Sequence, residues 1–262
     1  MPRNEHENAS PRIHDAVAAW LFAQDGVRRV LDVPAGMGAF AARCAQRGIE
    51  AFAGDVIEHR DGPGVTRVHV DLNGRLPFDD GFFDAVVCIE GIEHLQRPFD
   101  FVRECRRVLR TGGLLVVTTP NISALRSRWR WLLTGFHNKQ KTPLDEGDPN
   151  PLHHVNMTSY AMGRYLLHTQ GFRVVDVRTN RYKATALLYA PLAPLSWLAT
   201  WLTFRHETRG EPAQWPLHRE VLRAMHKAPL LFGETMILCA VAAPQLHAAS
   251  PAQLGAAGAA VR

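Results

Sequence analysis

The sequence has little cysteine, no apolar run at its start and no large excess of one charge. Its four cysteines form no C-x-x-C pair, and each lies in an apolar stretch. We therefore expect buried free thiols in a reducing compartment, rather than disulfides or a cysteine metal site. Residues 1–10 are polar and lack the apolar segment of a signal peptide, so we expect a disordered lead and a cytoplasmic protein.

The charge is modest: 30 basic against 25 acidic residues give a net charge of +5 with histidine neutral. Such a balance suits an anionic substrate or a membrane surface. The basic residues are dispersed and form no extended stripe, so nucleic acid is not the expected partner. With 262 residues, 46% of them hydrophobic, the chain can build the core of one α/β domain.

Apolar strand-like runs alternate with helical patterns along residues 11–242. The expected strands are 29–33, 50–53, 65–70, 85–89, 114–119, 173–177 and 235–241. The expected helices are 11–24, 39–46, 99–109 and one that begins after an N-cap at Thr158 and ends at Gly171. This alternation predicts a Rossmann-like seven-stranded sheet with helices on both faces. Because the last strand follows a long connection, we expect it to run antiparallel to its neighbours.

A glycine-containing loop follows the first expected strand. Asp32, Gly36 and Gly38 give the pattern D-x-x-x-G-x-G, in which glycine allows a tight turn and a close approach of a ligand to the backbone. Asp55 lies nineteen residues after Gly36, at the end of strand two. A carboxylate at that place can accept hydrogen bonds from ribose hydroxyls.

The loop alone leaves two kinds of cofactor open. Gly36, Gly38 and Ala41 also satisfy the dinucleotide pattern G-x-G-x-x-G/A, which would indicate a NAD-dependent oxidoreductase. Asp32 favours a cofactor with an amino-acid group, because a carboxylate beside the loop attracts an ammonium and repels a pyrophosphate. Asp71, at the end of strand three, offers a second polar contact to an adenine.

Four segments in order resemble the motifs of class I S-adenosylmethionine (SAM)-dependent methyltransferases, particularly the ubiquinone-biosynthesis O-methyltransferase-like group. They begin at residues 30, 71, 82 and 107 and read VLDVPAGMGAF, DLNGRLPF, FFDAVVCIEGIEHLQRP and RVLRTGGLLVVTTPN. The resemblance spans about residues 28–180. It implies that Asp32, Gly36 and Gly38 hold the methionine end of SAM, Asp55 the ribose and Asp71 the adenine.

The segment after strand four carries Glu90, Glu93 and His94, at the carboxyl edge of the sheet, where ligands bind in such folds. A helix there would place the three side chains on one face. With His154, or its neighbour His153, they form an oxygen and nitrogen donor set suited to Mg, Mn or Zn. This pattern resembles that of the metal-dependent small-RNA 2′-O-methyltransferases.

The same residues have two further candidate roles. Glu90 is also a candidate cofactor-binding residue. Without a metal, His94 or His154 is the candidate general base, since an imidazole titrates near neutral pH.

An insertion over about 180–232 separates strands six and seven, and residues 243–262 form an expected flexible tail. Residues 184–204 carry no charge and include Trp197 and Trp201. By length they could cross a bilayer, but Pro191 and Pro194 interrupt a helix there. We expect instead a lid, a dimer interface, or a peripheral contact with the inner face of the membrane next to the basic residues that follow.

These features predict a SAM-dependent methyltransferase that acts on a hydroxyl of a glycan, lipid-linked or quinol-type small molecule. An RNA 2′-O-methyltransferase and a NAD-dependent oxidoreductase are the alternatives. A non-catalytic subunit of the same fold is a further class, because cofactor residues by themselves indicate binding and not turnover.

Overall fold

A computed structural model describes residues 9–57, 63–147, 150 and 152–243. Seven strands form one sheet in the order β3-β2-β1-β4-β5-β7-β6. The strands are β1 Arg29–Asp32, β2 Glu50–Asp55, β3 Val65–His69, β4 Phe83–Cys88, β5 Leu109–Pro120, β6 Phe172–Arg178 and β7 Thr235–Ala242. All neighbours are parallel except β7, which runs antiparallel to both β5 and β6. The predicted Rossmann-like fold with an antiparallel last strand is confirmed.

Eight α-helices accompany the sheet within the described residues. They are α1 Ile13–Leu21, α2 Ala39–Ala45, α3 Pro98–Val108, α4 Leu125–Thr134, α5 Tyr160–Thr169, α6 Leu192–Glu207, α7 Trp215–Met225 and α8 Ala228–Phe232. Two separate clusters of buried apolar side chains form the core, one containing residues of α1 and α2 and the other residues of α3 and α5. The central strands are buried along nearly their whole length, as parallel strands covered on both faces must be.

Three local expectations were wrong. The stretch after β5, where no helix was expected, forms α4, which ends at Gly135 in the left-handed conformation that favours glycine. The N-cap of α5 is Ser159 rather than Thr158, because the Ser159 side chain accepts a hydrogen bond from the Met162 amide. Finally, β5 begins at Leu109 and not at residue 114, since Leu109 already pairs with Phe83 of β4.

The insertion between β6 and β7 is helical, as predicted, and consists of α6 to α8 with short 3₁₀ segments at Ala184–Tyr189 and Pro212–Gln214. Pro194 does not interrupt α6, because it lies in the first turn, where a missing amide hydrogen costs no helical hydrogen bond. None of the side chains of α6 is buried. Among the described residues, no helix combines the length and the apolar character that a membrane crossing requires.

The chain ends bear on two further expectations. Residues 1–8 of the expected lead and 244–262 of the expected tail lie outside the described residues. Ser10, also assigned to the lead, is buried and hydrogen-bonded to Glu90, so the ordered domain begins before residue 11. All four cysteines are buried free thiols, as expected.

Candidate active site

The loop between β1 and α2 turns through two glycines with positive φ, 51° at Gly36 and 78° at Gly38. Residues with a side chain rarely adopt this conformation. A Cβ on Gly38 would also lie 2.7 Å from the Arg67 guanidinium, whose Nη2 donates to the Met37 carbonyl at 2.8 Å. Both glycines are therefore required by the backbone path.

Asp55 connects this loop to the end of β2. One carboxylate oxygen accepts a hydrogen bond from the Gly36 amide at 2.7 Å and the other accepts one from the Ile57 amide at 3.1 Å. The carboxylate remains partly exposed. The structure thus places Asp55 directly beside the glycine loop, as its predicted contact with a ribose requires.

Asp32 lies beneath the loop and is only 2% exposed. Its carboxylate accepts a hydrogen bond from the Ala41 amide at 3.1 Å and so satisfies one of the free amides in the first turn of α2. Burial raises its pKa to about 7, with the nearby Asp55 charge adding to the effect and the Ala41 bond and Arg67 opposing it. A bound ammonium would attract the ionised form of Asp32 and so favour its deprotonation.

Asp71 follows β3 in an exposed turn, where its carboxylate accepts hydrogen bonds from the Asn73 amide and side chain. The preceding residue, Val70, donates its amide hydrogen to the Asp55 carbonyl at 3.0 Å. Asp71 therefore stands next to Asp55 at the same edge of the sheet.

Three exposed apolar residues near the loop were missed by the sequence analysis. Met37, Val56 and Ile57 are 42%, 55% and 55% exposed and lie next to Gly36 and Asp55 in the chain. Exposed apolar side chains beside a polar loop are typical of a ligand-binding surface. In the sequence, Val56 and Ile57 form an apolar pair directly after Asp55, the acidic residue that ends β2.

The turn after β4 packs directly on the glycine loop. A Cβ on Gly91 would lie 2.3 Å from Pro34 Cδ, so only glycine allows this approach. Glu90, just before it, has a φ of 47°, which is rare for a residue with a side chain. The glycine loop and the segment that carries Glu90, Glu93 and His94 are therefore in contact.

The expectation that Glu90 shares a helical face with Glu93 and His94 was wrong. The chain after β4 forms a bend, and a 3₁₀ turn begins only at Ile92. The Glu90 carboxylate instead accepts hydrogen bonds from the Ser10 amide, at 2.7 Å, and from the Ser10 hydroxyl. As a result Glu90 lies outside the donor group that the other predicted metal ligands form.

The other three predicted ligands do meet. Glu93, His94 and His154 each offer a ligand atom, and these atoms all lie within 4.8 Å of one another. The His94 and His154 rings are in edge contact, with centroids 4.9 Å apart. In the rest of this article these three residues are called the acceptor cluster.

The loop that precedes α5 is held against the 3₁₀ turn by its backbone. The Asn156 amide donates to the Glu93 carbonyl at 2.9 Å, and His94 Nδ1 lies 3.1 Å from the His153 carbonyl. Because a carbonyl can only accept, His94 Nδ1 carries a hydrogen and a neutral ring leaves a lone pair on Nε2. His153 thus contributes its carbonyl, and His154 contributes its ring.

Burial strongly affects the charges of the acceptor cluster. Glu93 is 1% exposed, and burial, helped by the Glu90 charge, raises its pKa to about 8. Burial and the neighbouring His94 lower the pKa of His154. Glu93 Oε2 and His154 Nδ1 are both buried without a hydrogen-bond partner among the described residues. Such unpaired buried atoms on two members of the acceptor cluster indicate a site that a ligand would complete.

Residues 31–117 match the protein family described as "Methyltransferase domain". These residues contain the glycine loop, Asp55, Asp71 and the segment from Glu90 to His94. The match therefore covers the cofactor side of the site and part of the acceptor cluster, while His154 and the insertion lie outside it.

Two curated relatives and one solved structure are similar to the chain. It is 32% identical over 133 residues to the ubiquinone biosynthesis O-methyltransferase of Roseobacter denitrificans, which covers 43% of this chain and 53% of the relative. It is 34% identical over 182 residues to a probable SAM-dependent methyltransferase of Mycolicibacterium smegmatis, covering 67% of this chain and 64% of the relative. The chain thus spans between half and two thirds of the length of these relatives.

The solved structure is a SAM-dependent methyltransferase from Archaeoglobus fulgidus. It superposes with a TM-score of 0.51 over 86% of this chain and 90% of its own, at 19% identity. At that identity the likeness shows a shared fold.

Proposed function

We propose that this chain, which belongs to the class I SAM-dependent methyltransferases, binds SAM on the loop between β1 and α2 and methylates a hydroxyl of a small acceptor. The observation that carries the proposal is the contact between Gly91 and Pro34, which brings the glycine loop and the acceptor cluster to one edge of the sheet. The methyl donor and the acceptor can therefore be held next to each other, as an in-line displacement requires.

The residues around the loop fit SAM. Gly36 and Gly38 leave room for its methionine part, and the charge of Asp32 attracts its ammonium. Asp55 accepts from the ribose hydroxyls, and Asp71 contacts the adenine, which packs on the exposed Ile57. When bound, SAM supplies a methyl group activated by a sulfonium.

Without a bound cation, His94 is the proposed general base for the acceptor. Its Nδ1 hydrogen is engaged by the His153 carbonyl, so Nε2 is free to take the proton of the acceptor hydroxyl. As the acceptor oxygen gains the methyl group, that proton passes to Nε2 and later to solvent. Burial and the neighbouring His94 lower the pKa of His154, which positions the hydroxyl instead.

The alternative is a divalent cation, Mg, Mn or Zn, at the acceptor cluster, where His94 would be a ligand and not the base. Glu93, His94 and His154 would hold it, and the two unpartnered buried atoms, Glu93 Oε2 and His154 Nδ1, would gain a partner. A cation there would lower the pKa of the acceptor hydroxyl.

The acceptor is proposed to be a glycan, lipid-linked or quinol-type hydroxyl compound rather than RNA. The similarity to a ubiquinone biosynthesis O-methyltransferase supports O-methylation. The dispersed basic residues argue against a nucleic-acid partner.

We also propose that the chain contacts an anionic membrane surface from its cytoplasmic side. Exposed apolar side chains on α4, the 184–189 turn and α6 are here called the apolar surface. It includes Trp131, Leu132, Leu133, Leu187, Leu188, Leu195, Trp197 and Leu198, which are 44–78% exposed. Arg128 of α4 donates to the Ser196 hydroxyl at 2.8 Å and so joins the two segments.

The charges around the apolar surface suit lipid headgroups. Residues 122–144 contain five basic and no acidic residues, and residues 179–206 contain three basic and no acidic residues. Tryptophans at the edge of an apolar surface and basic residues around it are typical of peripheral membrane contacts.

Calorimetry with S-adenosylhomocysteine, the demethylated form of SAM, tests the proposed function. We expect the wild-type protein to bind it and to give no heat with NAD. Asp55→Ala should weaken binding about tenfold or more, because it removes charge-assisted hydrogen bonds to the ribose and loosens the Gly36 amide.

Asp79→Asn, at an exposed position away from the loop, is the control and should bind like the wild type. Binding of NAD in place of S-adenosylhomocysteine would rule out the proposed cofactor.

A further inference from the structure

A basic cavity of about 240 Å³ opens at the end of β5. It lies between the first turn of α4, residues 138–141 and the beginning of the insertion. Four cationic side chains line it: Arg126, Lys139, Lys141 and Lys183. Among the described residues that line it, Glu234 is the one carboxylate.

Glu234 does not neutralise the cavity. Its carboxylate accepts hydrogen bonds from both Arg181 and Lys183. Although burial acts in the opposite direction, these two cations hold the pKa of Glu234 below its usual range. Glu234 is therefore ionised and already shared between two positive charges.

The other cationic side chains of the cavity have few ion-pair or hydrogen-bond partners among the described residues. Arg126 and Lys141 make neither an ion pair nor a side-chain hydrogen bond there, and Lys139 makes one long bond, 3.3 Å, to the Ser10 hydroxyl. The first turn of α4 adds to the positive potential, because Ala124 caps it without a side-chain hydrogen bond. A cavity with several unpaired cations is an electrostatic site for an anion.

Lys139 links the cavity to the acceptor cluster. The Ser10 hydroxyl that Lys139 contacts also donates to the Glu90 carboxylate. The Lys139 charge further acts on both Glu93 and His154. An anion in the cavity would therefore lie close to a hydroxyl held at His94.

We propose that this cavity binds a phosphate group of the acceptor, with Arg126, Lys139 and Lys141 as the binding residues. The proposal rests on the proposed methyltransferase function and narrows its acceptor to a phosphorylated hydroxyl compound, such as a sugar phosphate or a lipid-linked glycan phosphate. At about 240 Å³ the cavity is smaller than the ~300–1,000 Å³ of whole-ligand pockets, so it suits one group of a larger acceptor. A neutral quinol would leave these cations unpaired.

Calorimetric titrations with glucose 1-phosphate, with glucose, and with vesicles containing phosphatidic acid test the proposal. We expect the wild type to bind glucose 1-phosphate and not glucose. The double variant R126Q/K141Q should bind at least about tenfold more weakly, because it removes two charge-assisted contacts. Arg173→Gln, which removes an exposed cation of β6 outside the cavity, is the matched control and should bind like the wild type.

The vesicle titration distinguishes a soluble phosphate from one carried by a lipid. If glucose 1-phosphate does not bind, tighter binding to phosphatidic acid vesicles than to phosphatidylserine vesicles of equal charge, with this preference lost in R126Q/K141Q, assigns the phosphate to a lipid-linked acceptor. No binding of either probe up to about 10 mM, or equal binding by the wild type and both variants, overturns the proposal.

Binding of S-adenosylhomocysteine is measured on the same proteins and should be the same in all of them. If it is absent while phosphate binds through Arg126 and Lys141, the cavity remains an anion site and the methyltransferase function fails. If it is present while phosphate does not bind, only the phosphate site fails.

Discussion

Glu90 has a left-handed backbone next to the glycine loop, at a φ of 47°. Such a conformation costs on the order of 1 kcal/mol or more in a residue with a side chain, and it persists only where neighbours enforce it. Here the Glu90 amide donates to the Thr118 hydroxyl at 2.9 Å, and the carboxylate is held by Ser10. This turn leads directly into the 3₁₀ turn that carries Glu93 and His94.

A cation should bind the acceptor cluster through Glu93. In a Mn²⁺ titration followed by calorimetry, we expect Glu93→Gln to weaken binding at least about tenfold, because it removes the one charged ligand. In the same preparation EDTA should abolish methyl transfer, and Mg or Mn should restore it.

His153→Ala is the control for this experiment. It keeps the backbone carbonyl that His94 contacts and removes a ring that lies outside the cluster, so Mn²⁺ binding should not change. Equal Mn²⁺ binding by Glu93→Gln and the wild type, or full activity in EDTA, would rule out a functional cation at the acceptor cluster.

At the scale of secondary-structure elements, α4 and α6 depart most from ordinary helices of a globular domain. A helix on the surface of a domain normally buries one apolar stripe, whereas α6 has apolar residues around its circumference and buries none of them. Trp197 and Trp201 stack on each other at the surface, with ring centroids 6.2 Å apart. Exposure of so many apolar side chains to water is unfavourable unless another surface covers the helix.

The proposed membrane contact predicts flotation with lipid vesicles. The wild type should float with vesicles of about one-third anionic lipid and much less with zwitterionic ones, and added salt should reduce flotation. The double variant L132E/L188E should stay in the soluble fraction, because each position is more than 60% exposed on the apolar surface. Met162→Glu, an exposed apolar position on α5, is the matched control and should float.

Sedimentation analysis of the same proteins gives the alternative outcome. A wild-type dimer that L132E/L188E dissociates, together with no flotation, would identify the apolar surface as an interface between two copies of this chain. That result would contradict the membrane contact.

At the scale of the whole molecule, Asp32 makes global stability depend on pH. Its pKa rises from 3.8 to about 7 on folding, chiefly through burial, so the folded protein binds a proton that the unfolded chain releases. The stabilisation that the protonated Asp32 carboxyl gives the folded protein is fully present below about pH 4 and is lost as pH rises through about 7. Over that interval the free energy of unfolding should fall by as much as about 1.4 kcal/mol per pH unit.

Urea unfolding between pH 5 and pH 8 checks this linkage. Asp32→Asn cannot ionise and keeps an acceptor for the Ala41 amide, so its stability should fall less steeply than that of the wild type. The variant should be the more stable protein at pH 8 and the weaker binder of S-adenosylhomocysteine. Asp79→Asn, at an exposed position, should show the same pH dependence of stability as the wild type. If Asp32→Asn also loses stability as steeply as the wild type, the linkage is refuted.

The sequence by itself determined the sheet and its cofactor edge. Continuous apolar runs indicate buried strands, and the glycine loop, Asp55 and Asp71 follow the ends of parallel ones, so their common edge is a consequence of topology. The antiparallel last strand was also predictable, since the long connection before it allowed a change of direction. These features depend on residues near one another in the chain.

Only the tertiary structure decided the acceptor side. The 3₁₀ turn separates Glu90 from Glu93, and the residue that binds Glu90, Ser10, is eighty positions away in the chain. The basic cavity likewise gathers Arg126, Lys141 and Lys183 from three segments whose spacing has no period. Contacts between such distant residues arise from the packing of loops on the sheet, which local patterns of hydrophobicity and charge do not encode.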